Sequence, residues 1–282
     1  MKKYAAWIAS CAALWSAASH AADSEIRATE LPAGEHIVID GRLDDPAWRS
    51  AQVYKLAFKF SPSRVEAEIP ETTYRIIVDD EFLYVGVDCR DPNPKAIHQE
   101  LSHRDLVEGA DSVKVWIDPD GRRKFAQIFK IAAGGAIWDG THYEDSGKDE
   151  TSPDFAFEAA SHVHERGWSA EFKIPASSLR LNGHGQPTIL VSRYYPRAAG
   201  FVFASTDIDD RHQCILCKNP PLTGLANMKR GSAVTITPYT SVTKSAGDFG
   251  SALKGRAGVD VKWRVNDSAV VDATVYPDFS QV

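Results

Sequence analysis

Seven short runs between residues 72 and 195 constrain this chain most: TTYRIIV, FLYVGVDC, SVKVWID, KFAQIFKI, FAFEAASHV, WSAEFKI and ILVSRYY, separated by clusters rich in Asp, Glu, Gly and Pro. An extended backbone turns successive side chains to opposite faces, so apolar residues recurring at period two mark half-buried strands, and a 3.6-residue helical period is almost absent. In the 82–89 run Leu83, Val85, Val87 and Cys89 share one face, while Tyr84, Gly86 and Asp88 share the other. Pro119-Asp120-Gly121 has hairpin chemistry, and Glu165-Arg166-Gly167 is a second tight turn. Further strands are expected at 35–39 (EHIVI) and 136–139, with a polar, acidic loop over 141–154 and a single helical turn at Pro175–Leu179. So many short strands predict an all-β fold, an antiparallel, jelly-roll-like β-sandwich with helix confined to a few short turns.

Ahead of these runs stands VIDGRLDDPAW at 38–48. Asp40-Gly41 and Asp44-Asp45-Pro46 are turn formers, because Gly admits positive φ, Asp accepts from nearby backbone N–H groups and Pro fixes φ. Turning the chain is the favoured role for the three carboxylates over ligand binding, with Trp48 directed to the core.

The chain opens with Lys2-Lys3, an apolar stretch, and Ser19-His20-Ala21 in the small-x-small position of a signal-peptidase site. This reads as an export signal over 1–21, cleaved before Ala22, since the apolar run is shorter than the roughly 20 residues of a spanning helix. Lipidation at Cys11, through Ile8-Ala9-Ser10-Cys11, is the weaker rival. Export places the mature protein in the periplasm or in association with an outer membrane. Removing the leader takes away two of the 32 Lys and Arg and none of the 38 Asp and Glu, so the mature charge is 30 minus 38, or −8. That acidity argues against a nucleic-acid partner, which needs a basic face.

Cys89, Cys214 and Cys217 remain in the mature chain. Cys89 falls on the apolar face of its strand and reads as a buried, inert thiol. Cys214-Ile-Leu-Cys217 has three readings: a small disulfide loop, half of a metal site with His212, or a redox pair. The disulfide is favoured, because Lys-Asn-Pro-Pro follows Cys217 where a redox motif needs a helix, and a metal site lacks an obvious fourth ligand.

Composition changes near residue 230, where a Pro-rich exit gives way to TITPYTSVTK, a Gly/Ser/Ala-rich link, and then VDVKWRV and AVVDATV. These late strands alternate too, yet on their own they leave an apolar face and open edges. The expected organisation is a signal at 1–21, an extension at 22–34, a β-sandwich at 35–225 and a linker with further strands at 226–282.

Taken in order, Ile39–Trp48, the strand pair around Asp79–Val85, Asp111–Asp118 and Gly167–Pro175 resemble the family 9 carbohydrate-binding-module-like domains of exported bacterial proteins. The likeness covers about 35–225, and Asp272–Val275 with Pro277–Val282 resembles the truncated start of the outer-membrane barrel that often follows such domains. The resemblance implies a β-sandwich that recognises a poly- or oligosaccharide, sometimes beside glycoside hydrolase domains and sometimes ahead of a barrel partner. It also implies structural calcium as a cofactor, for which Asp111 and Asp118 are candidates; turn capping is the favoured reading of both.

A saccharide site needs an aromatic platform with polar neighbours. In 112–118, Val113, Val115 and Ile117 share one face and Lys114, Trp116 and Asp118 the other, which makes Trp116 the leading platform. Trp138 is the second candidate, and Arg75 and Arg193 are polar contributors from outer strand faces; Trp168 is assigned to the core. Packing beneath a loop is the competing role for Trp116. Catalysis by paired carboxylates would draw on Glu144, Asp145, Asp149 and Glu150, but nothing in the sequence fixes two of them across a sugar or raises one pKa. HExxH and GxSxG motifs are missing, although His162 and His164 share one strand face. A noncatalytic carbohydrate-binding domain is therefore expected, with a periplasmic plug or assembly domain of an outer-membrane barrel, or a glycoside hydrolase component, as alternatives.

Overall fold

The computed structural model describes residues 25–62, 68–99, 109–152, 154–179, 181, 185–197, 200–208, 214–229, 234–247, 250–266 and 269–275. The leader at 1–21, His212 and the 276–282 segment lie outside them. In chain order the elements are β1 (Ile26–Arg27), β2 (Thr29–Glu30), α1 (Pro46–Ser50), β3 (Tyr54–Lys55), β4 (Phe58–Ser61), β5 (Thr72–Val78), β6 (Phe82–Arg90) and β7 (Ser112–Asp118). They continue as β8 (Phe125–Ala132), β9 (Ile137–Tyr143), β10 (Lys148–Glu150), β11 (Glu158–His164), β12 (Gly167–Pro175), β13 (Thr188–Tyr195), β14 (Phe201–Ala204) and β15 (Leu222–Thr223). Three long strands follow, β16 (Val234–Gly247), β17 (Gly250–Asn266) and β18 (Ala269–Val275).

Two sheets form the sandwich. One runs β10-β9-β8-β7-β13-β14-β4 and is antiparallel throughout. The other runs β11-β12-β6-β5-β2, with β3 also on β5. The inner residues of the alternating runs meet between them: Tyr74, Ile76, Leu83, Val85, Val87, Cys89, Trp168 and Phe172 from one sheet face Val113, Val115, Ile117, Phe129, Ile189, Val191 and Phe203 from the other. These side chains are nearly or fully buried, so the period-two pattern is the packing plan of the core. The β-sandwich expected from the sequence is the fold observed.

Local corrections have local causes. Residues 35–39 form no strand; Ile37 and Ile39 instead pack with Trp48, and the Val38 N–H bonds to the Asp45 carboxylate at 3.0 Å. That carboxylate leaves α1 without a side-chain cap, and Pro46 at its first turn starts the helix that seats Ala47 and Trp48. The acidic 141–154 segment is largely a hairpin, with β10 pairing β9 through Lys148–Tyr143, Asp149–His142 and Glu150–Thr141.

β16, β17 and β18 make a separate antiparallel sheet. Its register puts Val234, Ile236, Pro238 and Val242 in line with Trp263, Val261, Val259 and Gly255, and then with Val271, Ala273 and Val275. The alternate face carries Thr237 and Tyr239 with Asp260 and Arg256. On the apolar face Ile236 is 63% and Trp263 48% exposed.

Candidate functional site

The outer face of the first sheet holds the aromatic candidates, and the loop residues Ile208, Ile215 and Leu216 pack in the cluster around Trp116. Trp116 does point away from the inner core, as alternation requires, yet it is only 7% exposed and packs with Leu190, Ile208 and Leu216. Its indole N–H donates to Ser192 Oγ at 3.1 Å, and its ring meets His142 edge-on. The loop above is held down from the acidic segment, where Glu144 accepts the Ile215 and Leu216 N–H groups at 3.0 Å each, and a Cys214–Cys217 disulfide closes the loop on itself. Trp116 therefore cannot serve as an open stacking platform, because periodicity assigns a face and not what lies over it.

The other candidates divide among different places. Lys114 is half-buried, with its ammonium 5.0 Å from the Trp116 ring centre, 5.4 Å from the half-buried Trp138 and 3.3 Å from Asp149. Asp149 also bonds His142 Nδ1 at 2.8 Å. Burial works to raise the Asp149 pKa, but His142 and Lys114 outweigh it and hold the group below its ordinary value. Asp118 is buried and accepts the N–H groups of Asp120, Gly121 and Arg123 at 3.1, 2.9 and 2.7 Å, so it closes the hairpin and is not free for a sugar. Burial raises its pKa against those three donors. Arg193 is fully buried on the inner phase of β13, not on an outer face. It donates to Thr72 Oγ1 at 2.9 Å and the Arg90 carbonyl at 2.8 Å beside Asp91. Arg197 joins Asp91 and Asp111 there, at 2.6 and 2.5 Å.

These contacts do not suit calcium. Asp111 is bound to Arg197 and to the His98 N–H, and Asp118 caps its turn. The two flank a strand and lie roughly 20 Å apart, too far to share an ion. Among the described residues no group of three or more His, Cys, Asp or Glu side chains is placed to hold a metal. Of the four acids weighed for hydrolysis, Glu144 and Asp149 are engaged as above, and Asp145 and Glu150 are exposed.

Arg75 leads to a different place, a cleft of about 360 Å³ on the outer face of the second sheet. The ladder brings its floor together: His162 pairs with Ser169 across β11 and β12, and Ser169 with Asp88 across β12 and β6. Arg75 lies opposite Gly86 on β5 and β6. His164 and Arg166 rise from the β11–β12 turn, and Arg42, Asp44 and Arg49 come from the 38–50 segment. Sequence reasoning proposed only Arg75 of this set. The signal was nevertheless present, since Arg75, Asp88, Ser169, His162 and His164 are all on the polar phase of their strands.

Four hydrogen bonds fasten the 38–50 segment to this sheet. Glu171 on β12 accepts the Trp48 indole N–H at 2.8 Å and the Asp40 and Gly41 N–H groups at 3.0 and 2.9 Å. Ser169 Oγ donates to the Gly41 carbonyl at 2.6 Å. Gly41 has φ +84°, and a Cβ there would lie 2.4 Å from the Ser161 backbone, so the turn touches β11 directly. Gly86 leaves the space that the Trp48 ring occupies. Burial pushes the Glu171 carboxyl up to about 7, against the pull of its three N–H donors.

Charge distinguishes the cleft. Arg90 is 3.2 Å from Asp88, and His164 Nε2 is 3.8 Å from the same carboxylate. Burial lowers the His164 pKa; Asp88 opposes that shift, and Arg90, Arg166 and His162 add to it. Arg42 has a loose contact with Asp40 at 3.8 Å. Among the described residues, the guanidinium groups of Arg49, Arg75 and Arg166 have no ion pair or hydrogen bond.

Two sheets over one core, antiparallel except where β2 joins β5, make a β-sandwich with a polar cleft on an outer face. Residues 39–213 match the family described as "Carbohydrate family 9 binding domain-like", which is more than half of the chain, and the protein belongs to that family. Residues 233–282 match a "Domain of unknown function (DUF5916)". Among solved structures, a Bacteroides uniformis protein described as a candidate carbohydrate binder aligns with TM-score 0.51 and 10% identity, covering 71% of this chain and 98% of its own. A family 9 module from Caldicellulosiruptor kristjanssonii, solved with cellotriose, aligns with TM-score 0.49 and 14% identity over 72% of this chain and 96% of that one. The same module with glucose gives 0.48 and 16%, over 71% and 96%. No protein of curated function gives a significant match.

Proposed function

We propose that the sandwich is a noncatalytic carbohydrate-binding domain and that its saccharide site is the outer-face cleft around Arg75, Asp88, His162 and His164. The family match over 39–213 carries this reading. The cleft fits it, since about 360 Å³ falls within the roughly 300–1,000 Å³ of small-ligand sites, and its Arg, His and Asp groups complement hydroxyls that both donate and accept. In this role the domain holds glycan for the chemistry of partner domains. Isothermal calorimetry of the intact protein against neutral and acidic oligosaccharides tests it. Saturable heat with at least one saccharide supports the reading, and a flat response to all of them rejects it.

A second role is favoured by the late sheet, and it belongs to the same chain. β16 and β17 have 14 and 17 residues, longer than the roughly 9–11 that cross a bilayer, and Val234, Ile236, Val259, Val261 and Trp263 fall on one face. We therefore infer that 234–275 contributes strands to an outer-membrane barrel and that the sandwich is its exported, periplasmic companion. Quenching of Trp263 fluorescence by brominated lipid after reconstitution supports membrane insertion; full retention of its emission rejects it.

A further inference from the structure

We infer that the cleft selects a saccharide carrying an anionic group, a carboxylate or a sulfate ester. This rests on the cleft being the carbohydrate site and adds the class of sugar. The observation behind it is the surplus of unmatched positive charge in a protein whose formal net charge is −6.

Among the described residues four arginines line the cleft against two aspartates, and Arg90, just outside, already answers Asp88. Arg75 is the informative one. It is half-buried on β5 with no ion pair or hydrogen bond among the described residues, although a guanidinium withdrawn from water gains most from an anionic partner. Arg49 and Arg166 enter the same space from α1 and from the β11–β12 turn, also unpaired. Like charges gathered around one hollow repel each other until an anion sits among them. A planar fork of N–H donors binds carboxylate or sulfate oxygens in pairs, which uncharged hydroxyls cannot match.

Aromatic content points the same way. Among the described residues Trp48 is the sole aromatic ring in the lining apart from the two imidazoles, and at 1% exposure it offers no stacking surface. Neutral sugars depend heavily on such a surface, whereas an acidic sugar can be held by charge and orientation. His162 and His164 complete the rim.

The test is calorimetry of the intact protein with three probes of similar length: a neutral gluco-oligosaccharide, an oligogalacturonate and a sulfated oligosaccharide. At least one acidic probe is expected to bind 10-fold or more tighter than the neutral one, and to lose most of that advantage between 50 mM and 500 mM salt. The two acidic arms separate carboxylate from sulfate. Arg75→Gln is expected to lower the preference for the acidic over the neutral probe about 10-fold. Arg166→Gln, at an exposed turn, repeats the measurement where folding is not at stake and is expected to weaken it about 3-fold. Equal or tighter binding of the neutral probe, unaffected by either substitution, overturns the inference while leaving the carbohydrate reading intact. Heat from none of the three overturns both.

Discussion

Glu171 accepts the indole N–H of Trp48 at 2.8 Å, joining two sequence motifs 123 residues apart. The same carboxylate holds the Asp40 and Gly41 N–H groups, so one side chain fixes the turn, the helix and the wall of the cleft. Glu171→Ala leaves three donors without an acceptor in a buried setting and is expected to cost about 3 kcal/mol or more, read as a lowered urea midpoint.

The same group makes stability depend on pH. A carboxyl raised from 4.5 to about 7 on folding contributes its full stability below pH 4.5 and loses it as pH rises through about 7. The wild type should therefore lose about 1–3 kcal/mol relative to Glu171→Gln between pH 4.5 and 7.5. A constant difference between the two proteins across that range contradicts this.

Trp116→Ala removes a core side chain and not a sugar platform. It is expected to destabilise the fold by about 3–5 kcal/mol. Saccharide affinity of the fraction that remains folded should be unchanged, which calorimetry below the melting transition checks.

The core was more legible than the site because alternation assigns each residue to one of two faces. Leu83, Val85, Val87 and Cys89 are inside, and Trp48 and Trp168 are buried, as their positions require. What covers an outer face depends on distant segments, so nothing around Trp116 announced that Ile208 and Leu216 would lie over it. Arg193 misled for another reason. It occupies an inner phase near the end of β13, where Asp91 and Thr72 supply partners that strand spacing does not reveal. EHIVI likewise has strand composition, but Asp45 and Trp48 draw that segment into a turn.

Cys89 should be silent to thiol reagents while the protein is folded. It is fully buried, and burial pushes its thiol up to about 12, leaving almost no thiolate at neutral pH. Labelling on denaturation but not before is the expected mass-spectrometric result.

Affinity for an acidic saccharide should rise as pH falls below 6.5, the ordinary imidazole value, because burial lowers the His164 pKa and a bound anion favours the protonated ring. Asp88 already supports that proton, whereas Arg90, Arg166 and His162 oppose it. Calorimetry at pH 5.5 and 7.5 should differ by several-fold, and His164→Gln should reduce the difference.

Where the sugar sits is answered most directly by backbone amide chemical shifts of the intact protein during saccharide titration. Shifts grouped at Arg42, Arg49, Arg75, Asp88, His162, His164 and Arg166 are predicted, since these residues surround the cleft. Shifts grouped instead around Lys114, Trp138 and Asp149, on the opposite sheet, would contradict that assignment.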